Sequence, residues 1–473
     1  MRRSAFLIRF NTRARARAAT TALLLALCIP AALARTAPAQ QPTQPESALN
    51  ADEILQQMSR ITGLPIKASL KKKRVSKTEV EKYLRENLAA EYTPAQIHGQ
   101  EAALKAFGLV GADFNLQSFL VSLYTEQAAG FYDPRRKTMF MADWVERDQQ
   151  KMVLAHELTH ALQDQSFDLW KFMHAIPDDD DAGAARQALV EGYATLAMIQ
   201  AMLMPPPAAR QPLLDGLLPS LETILPSLDT MMNQMINQQI SQYPVFSEAP
   251  FFLRFQVLFP YTQGMHFVRE GFTAGGWKRL NEVFRSPPSN TRDIFQPDLY
   301  FKPPDKSNQP QAPLDLPVPP ALEHEPGLKQ VEANFMGELG YYALLGQLLS
   351  QDEAAKTTKS WMADRYLVYE GPTAGQFTLI ARTRWQNAEA ADAFCADYRS
   401  ILEKRWPDEG ASRRNAGVEA AAGPTKENSQ NLIFSTLGAR CTFLLRQGNE
   451  CRWAEDVPAA QADAVAKWIG ALP

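Results

Sequence analysis

This chain has no surplus of basic residues and few long apolar runs. Lysine and arginine number 49 against 52 aspartates and glutamates, for a formal net charge of -3. Proteins that bind nucleic acids usually need a positive surplus to neutralise phosphates, so this balance argues against such a partner. After residue 34, no segment offers the roughly twenty uninterrupted apolar residues that span a bilayer. We therefore expect no nucleic-acid partner and no stable membrane span.

The first 34 residues have the pattern of a secretory signal. Six arginines precede an apolar run that ends in Ala32-Leu33-Ala34. Cleavage after Ala34 would remove six positive charges and no acids, which moves the formal net charge from -3 to -9. Residues 35–49 follow as a flexible linker rich in proline and glutamine. The sequence predicts an exported protein, either periplasmic or secreted.

Cysteine is scarce, with four in the chain, and Cys28 lies in the expected signal. Cys395, Cys441 and Cys451 remain, and three thiols cannot all pair within one chain. One disulfide and one buried thiol fit this number. Cys441 and Cys451 flank a predicted strand and turn, which favours them as the pair, although sequence alone leaves the other pairings open.

Helical periodicity dominates from about residue 50 to 355, and strand-like alternation appears after 360. Ser76 and Glu79 have the capping-box pattern at a helix start. Two short runs around Asp133, "GFYD" and "TMFMA", predict a hairpin whose edge could pair with an extended substrate. The predicted fold class is α+β, with a mainly helical domain and short hairpin at 50–355 and a smaller α+β domain at 360–473.

Histidine is also scarce, yet two of the six histidines stand four residues apart in "LAHELTHALQDQ". Residues at this spacing lie on one helix face about one turn apart, so His156 and His160 can bind one metal ion. Catalytic zinc has three protein ligands and a water, and a nearby carboxylate can take a proton from that water. Glu157 is the candidate for this general base. The alternative is an amphipathic helix with merely packed histidines.

Glu191 is the candidate for the third metal ligand. It lies in "ARQALVEGYATLAMIQAML" among apolar neighbours, where a carboxylate needs a partner. Zinc would be such a partner, and Gly192 would let this helix pack closely on the first. A salt bridge to an arginine is the alternative role of Glu191. His174 and the acidic run 178–181 are weaker candidates for the ligand, because they lie in a predicted loop.

Two further residues are candidates for supporting roles. Asp164, one turn beyond His160, could orient the unliganded nitrogen of a histidine or another group in the helix, or it could simply be solvated. Tyr261, in "FPYTQGMHFV", could donate a hydrogen bond to the oxyanion formed in hydrolysis, or it could be a packed aromatic. His266 is the alternative donor, and Gly264 would allow another backbone to approach closely.

The strings "HELTHALQD" and "EGYAT" resemble the gluzincin zinc metallopeptidases. Thermolysin-like members of that family share an HELTHxxxD helix and a glutamate ligand on a following helix. The resemblance implies a zincin-like metallopeptidase domain at 50–355 that acts on a peptide or protein substrate. It also implies one zinc ion held by His156, His160 and Glu191, with Glu157 as the base.

A related class is excluded, and two positions depart from a broader resemblance. Gln163 and Ser166 stand where the metzincin pattern needs glycine and histidine. The segments "AGFYDP", "FPYTQG", "GGWKRLNEVF" and "ADRYLVYE" are similar to a set of exported bacterial and archaeal HExxH proteins. In that set the position of Tyr193 is commonly aspartate and that of Gln296 commonly histidine. If that histidine assists catalysis, activity in this chain is impaired or tuned differently.

Three functional hypotheses follow from the sequence. The first is an exported zinc peptidase of the gluzincin type. The second is a zinc-binding scaffold or interaction protein of the cell envelope with weak or no turnover. The third treats the motif as a coincidence in a helical interaction protein. Metal analysis of the purified protein separates the third hypothesis from the first two.

Overall fold

We describe the protein from a computed structural model of the chain. The described residues are 50–204, 220–240, 242–302, 313–405, 432–436 and 440–473. The expected signal and the expected linker lie outside the described residues, as does Cys28.

Helices dominate the fold, and the strands form two separate sheets, which confirms the α+β class. The helices of the first half are α1 (Ala51–Thr62), α2 (Lys77–Glu91), α3 (Pro94–Ala106), α4 (Leu116–Gln127), α5 (Arg147–Phe167), α6 (Leu169–Met173), α7 (Asp180–Leu203), α8 (Leu221–Ile224) and α9 (Leu228–Ile240). The later helices are α10 (Pro244–Glu248), α11 (Phe251–Val283), α12 (Thr291–Phe295), α13 (Pro297–Phe301), α14 (Pro320–Glu323), α15 (Gly337–Leu348), α16 (Gln351–Thr358), α17 (Ala388–Arg405) and α18 (Ala462–Gly470). The strands are β1 (Lys71–Val75), β2 (Gly130–Asp133), β3 (Thr138–Ala142), β4 (Lys329–Asn334), β5 (Trp361–Glu370), β6 (Phe377–Trp385), β7 (Leu432–Thr436), β8 (Arg440–Gln447) and β9 (Glu450–Pro458).

Local hydrogen bonds set the predicted helix start and hairpin. The Ser76 side chain accepts from the Glu79 backbone N–H, and Glu79 accepts in return from the Ser76 N–H, so the capping box is confirmed. In the turn between β2 and β3, Asp133 Oδ1 accepts from the backbone N–H groups of Arg135 (2.8 Å) and Arg136 (2.9 Å). The turn closes through Lys137, whose φ of 50° lies in the left-handed region.

The three-stranded sheet has the order β1-β3-β2, with β1 parallel and β2 antiparallel to β3. Because β3 is flanked on both sides, the prediction that "TMFMA" offers a free edge is wrong. Strand β2 is an edge strand, but all four of its residues are buried. The other edge, β1, exposes Lys71 to Arg74, and such charges discourage pairing with another chain.

Helices α5, α7 and α11 form the centre of the main apolar core. Helices α7 and α11 pack with their backbones close together, since a Cβ added at Gly192 would lie 2.4 Å from the Gly264 oxygen. A Cβ at Gly264 would lie 2.4 Å from the Ala188 oxygen, so the close approach predicted at Gly264 is confirmed. Gly192 faces α11 and not α5, contrary to its predicted role. Among the described helices, none combines the length and apolarity that crossing a membrane requires.

The second sheet has the antiparallel order β4-β5-β6-β9-β8-β7. Strand β4 lies inside the range predicted for the first domain, yet it pairs along β5. The sheet unit therefore begins near residue 329, not 360. A second apolar core connects this sheet unit to the helices of the first domain, since it contains Phe107 after α3, Leu253 of α11 and Tyr366 of β5.

The disulfide joins Cys395 of α17 to Cys451 of β9, and Cys441 is a free thiol. The predicted pairing of Cys441 with Cys451 is therefore wrong. Arg446 is the residue of β8 that faces Cys451, five residues along the strand from Cys441. Five residues correspond to about 16 Å of strand, well beyond the Cα separation of roughly 7 Å that a disulfide tolerates.

Candidate metal centre

The motif residues lie on α5, a helix buried on most of its surface. The predicted apolar faces of α5, including Val153, Leu158 and Leu162, are in the core. His156 and His160 lie one turn apart with their Nε2 atoms 3.0 Å from each other. Their rings meet edge to face, with centroids 4.7 Å apart. Both imidazoles thus direct a nitrogen to one point.

Helix α7 brings Glu191 to that same point. Its Oε2 atom lies 3.1 Å from His156 Nε2 and 3.4 Å from His160 Nε2. One ligand atom from each of the three residues lies within 4.8 Å of the others, and all three side chains are buried. Among the described residues no arginine pairs with Glu191. The cluster that the sequence predicted is present, and it can bind a metal ion.

Gln163 fixes the orientation of one histidine and was missed as a functional residue. Its Oε1 atom lies 2.8 Å from His160 Nδ1, and its Nε2 atom donates to the Val190 carbonyl at 3.1 Å. The amide nitrogen donates to the Val190 carbonyl, so Oε1 accepts a hydrogen bond from Nδ1–H and leaves Nε2 of His160 to face the ligand point. The signal was present in the sequence as a polar residue one turn after a ligand histidine.

Several buried polar atoms of the cluster have no hydrogen-bond partner among the described residues. They are His156 Nδ1, Glu191 Oε1 and both carboxylate oxygens of Glu157. Buried polar groups are almost always satisfied, so each exception requires an explanation. Two imidazole nitrogens and a carboxylate oxygen directed at one point are a donor set that fits a divalent transition metal. The residues therefore fit a bound metal ion.

The two charges of the cluster stabilise each other. Burial acts to lower the pKa of His160, but the adjacent Glu191 carboxylate and its hydrogen bond raise it to about 9. Burial acts to raise the pKa of Glu191, but the His160 charge and the bonds from both histidines hold it at about 2. For His156, burial dominates and lowers the pKa. A metal ion would have to displace the proton that His160 holds next to Glu191, so metal binding would release protons.

Glu157 lies beside the cluster and is fully buried. Burial raises its pKa to about 8, against a lowering effect of the His160 charge. The nearby backbone amide of Tyr132 also acts to lower the pKa of Glu157. Neither carboxylate oxygen of Glu157 has a hydrogen-bond partner among the described residues. A carboxylate with a pKa near neutrality and a free oxygen is suited to proton transfer.

Asp164 does not contact either histidine. Its carboxylate accepts from the Tyr132 hydroxyl (2.6 Å), from Lys137 Nζ (2.7 Å) and from the Leu169 backbone N–H (3.1 Å). The prediction that Asp164 orients a ligand histidine is therefore wrong. Gln163 orients His160 instead. Asp164 is buried and ties the hairpin to α5, so the alternative of plain solvation is wrong as well.

Tyr261 is the predicted supporting residue that the structure places near the cluster. Its ring centroid lies 6.3 Å from that of His156, and its side chain is buried. His266 instead contacts Asp229 with Nδ1 at 3.0 Å. Tyr193 donates to Asn281 at 2.7 Å on another face of α7.

The remaining residues singled out in the sequence are engaged outside the cluster. Gln296 Nε2 donates to Glu338 (2.9 Å) and to the Lys359 carbonyl (3.1 Å), which ties the end of α12 to α15. His174 lies 3.3 Å from Glu91 through Nε2. Neither residue belongs to the metal-binding group found among the described residues.

Comparison with known proteins identifies a family that is similar to part of the chain. The family model described as "Domain of unknown function (DUF8575)" matches residues 326–442. No curated protein and no solved structure matches the chain. The matched range begins just before β4 and includes β5, β6 and α17, so it covers much of the C-terminal sheet unit. The metal cluster lies outside the matched range.

Proposed function

We propose that the protein is a zinc-dependent peptidase of the gluzincin type. His156, His160 and Glu191 hold the ion in this proposal, and Glu157 is the general base. The observation that carries it is the convergence of three ligand atoms from two helices beside an unpartnered carboxylate. Structural zinc sites are usually closed by four protein ligands, whereas catalytic sites keep three and leave one position for water. Among the described residues the cluster contains three such ligands.

Glu157 would carry out the proton transfers. A bound zinc ion lowers the pKa of a coordinated water and polarises a carbonyl oxygen. Glu157 takes the proton from the water that attacks the peptide carbonyl and gives it to the leaving amine nitrogen. A base is most effective when its pKa lies near the working pH, and burial raises that of Glu157 to about 8.

Strand β2 is the candidate for binding the substrate backbone. The Ala142 N–H donates to the Ala129 carbonyl at 3.0 Å, which sets the alternation of the ladder between β2 and β3. By that alternation, Gly130 and Tyr132 direct their main-chain groups away from β3. The Tyr132 amide is the one that influences the pKa of Glu157. Because β2 is buried, a substrate can pair with it only if this edge of the sheet opens. Pairing of β2 with a substrate stays a prediction.

Tyr261 is the donor we propose for the oxyanion. The position of its ring, with the centroid 6.3 Å from that of His156, supports this role. Loss of one such donor typically costs about 10²- to 10³-fold in turnover. If Tyr261→Phe keeps both its zinc and its turnover number on a cleavable peptide, the donor is another group.

The second candidate function is a zinc-binding scaffold without turnover. The observation that favours it is that the ligands and Glu157 have no exposed surface. A substrate carbonyl reaches such a site only if the surrounding elements move. The same zinc ligands serve both functions, so metal content alone does not separate them.

The test measures zinc per chain and cleavage of a peptide library in the same preparations. His156→Ala and Glu191→Ala should lose zinc, whereas Glu157→Gln should keep zinc and lose turnover. His98→Ala is the control, because His98 is exposed and pairs with Glu370. Zinc without any cleavage supports the scaffold, and no zinc overturns both candidates. Full zinc in Glu191→Ala would remove Glu191 from the ligand set.

A further inference from the structure

A cavity of about 250 Å³ lies between the helices of the first domain and the C-terminal sheet unit. Residues of α3, α4, α7 and α11 line it on one side, and Met336 and Tyr366 line it on the other. An engineered apolar cavity of about 150 Å³ binds benzene, so this volume is enough for a ring with a small substituent. Neither Glu157 nor any of the three metal ligands lines the cavity, so it is separate from the metal cluster.

Aromatic rings make up a large part of the cavity wall. Eight of the lining residues are phenylalanine or tyrosine, and they come from both sides. Tyr92 and Phe119 belong to the helical side, whereas Phe335 and Tyr366 belong to the sheet unit. The faces of aromatic rings attract cations, and sites that recognise quaternary ammonium ligands contain several such rings. A wall of this composition can therefore bind an organic cation.

The charged residues that line the cavity are acidic. Asp180 and Asp181 line it, and no lysine, arginine or histidine of the described residues does. Burial is the main cause of the raised pKa of Tyr92 and of Tyr366, and the charge of Asp180 adds to it in both cases. The Asp180 carboxylate therefore lies near both rings. A cleft lined by charge of one sign attracts the opposite charge, so the wall favours a positively charged ligand.

Two positively charged features near the cavity are already engaged. The N-terminus of α7 could attract an anion, but Asp179 caps it by accepting from the Ala182 N–H at 2.9 Å. The Arg365 guanidinium lies 4.3 Å over the Phe335 ring and close to the carboxylates of Asp179 and Glu332, and it does not line the cavity. Neither feature favours an anionic ligand in the cavity.

We propose that this cavity binds an organic ammonium ion, with the cationic head beside Asp180 and the rings of Tyr92 and Tyr366. The apolar part of the ligand lies along Leu104 of α3 and Leu253 of α11, which line the same cavity. This site is distinct from the metal cluster and does not rest on the proposed peptidase function. Because both sides of the wall contact the ligand, its binding stabilises the contact between the helices and the sheet unit.

The experiment compares three small ligands that share a phenyl ring. Benzyltrimethylammonium is the cationic probe, benzyl alcohol is the neutral analogue and phenylacetate is the anionic one. Ligand-observed NMR measures their affinities for the purified protein. Benzyltrimethylammonium should bind at least about tenfold more tightly than either analogue, since cation–π contacts in a desolvated site contribute at least this factor.

Substitutions at two lining residues test the position of the cation. Asp180→Asn should weaken binding of benzyltrimethylammonium by about tenfold and leave that of benzyl alcohol unchanged. Asp178→Asn is the matched control, because Asp178 belongs to the same acidic run and does not line the cavity. Tyr92→Leu should weaken binding of the cation severalfold, whereas Tyr92→Phe, which keeps the ring, should bind it like the wild type.

Three results would overturn the proposal. The first is undetectable binding of benzyltrimethylammonium at millimolar concentration. The second is equal or tighter binding of benzyl alcohol or phenylacetate, which would exclude selection for positive charge. The third is equal affinity for the cation in Asp180→Asn and Asp178→Asn. If Asp180→Asn does not fold, the Tyr92 variants decide, and equal affinity in Tyr92→Leu and Tyr92→Phe would contradict the aromatic site.

Discussion

Two buried clusters of ionisable residues in this molecule differ in how well their polar atoms are satisfied. In the C-terminal sheet, the Glu450 carboxylate accepts from Arg382, Arg384 and Arg452 at 2.7 to 3.1 Å. Burial opposes ionisation of Glu450, but these bonds outweigh it and lower its pKa. Both of its carboxylate oxygens are occupied.

The cluster between α5 and α7 is the opposite case. It is at least as deeply buried, yet one oxygen of Glu191, one nitrogen of His156 and both oxygens of Glu157 have no partner among the described residues. Protein stability alone does not favour such an arrangement, because each unsatisfied group costs desolvation energy. The difference teaches that burial of charge alone is weak evidence for function, whereas ligand atoms that converge beside a buried carboxylate without a partner indicate a ligand site.

The largest effect is expected at Glu157, whose free oxygens distinguish the two clusters. Glu157→Gln keeps the shape of the side chain and removes the base, so kcat should fall by about 10²- to 10⁴-fold. Zinc per chain should stay at the wild-type value. Steady-state kinetics on a cleaved peptide, with metal analysis of the same sample, measure both. Retained turnover would show that the unpartnered carboxylate is not the base.

Glu450→Ala tests the satisfied cluster. It leaves Arg382 and Arg452, each with a 3% exposed side chain, buried without their main partner. The free energy of unfolding should fall by about 3–5 kcal/mol, as when a buried ion pair loses one member. Urea denaturation measures this, with the exposed Glu222→Ala as control. A loss below about 1 kcal/mol would mean that the network contributes little.

Gln163→Met removes the acceptor for His160 Nδ1 and keeps the side-chain length. Loss of such a partner typically lowers metal affinity by about 10- to 100-fold. Competition with a chelator of known affinity measures the change. Gln165→Met is the matched control on the same helix, since Gln165 accepts from the backbone of Lys67 and Ala68 instead. Equal zinc affinity in the two variants would contradict the orienting role of Gln163.

The smallest effect concerns Glu338, a buried carboxylate partnered by Gln296. Burial raises its pKa from 4.5 to about 8. The folded state therefore holds this proton more tightly than the unfolded state does, so the free energy of unfolding should fall as pH rises from about 4.5 to 8. Glu338→Gln should reduce that fall by roughly 1 kcal/mol or more. Urea midpoints at pH 5 and pH 8 measure it, with exposed Glu323→Gln as control; an unchanged difference would contradict the prediction.

Features that depend on neighbouring residues could be predicted from the sequence. The capping box of Ser76 and Glu79 and the hairpin around Asp133 follow from rules that span a few residues. His156 and His160 share a helix face because of the helical period alone. Glu191 could be predicted because a carboxylate in an apolar helix needs a partner, and a histidine pair was near in the sequence.

Features that depend on the relative position of distant elements could not be predicted. The Cys395–Cys451 bond requires α17 to lie against β9, which no local pattern shows. Gln163 and Asp164 are adjacent polar residues with different roles. Gln163 contacts α7, and Asp164 contacts the hairpin. Strand β4 lies in a range where helical periodicity dominates the sequence, and it becomes part of a sheet only by pairing with β5.

The contact between Gly192 and Gly264 limits which sequences can keep this site. Gly192 adjoins Glu191, and the two helices meet there through main-chain atoms. A methyl group at either glycine has no space, so it would displace a helix and move the Glu191 carboxylate with it. Neither glycine contributes a ligand atom, yet a larger side chain at either position should disturb the ligands. A mutational scan that scored tolerance by distance from the ligand atoms alone would underestimate both positions.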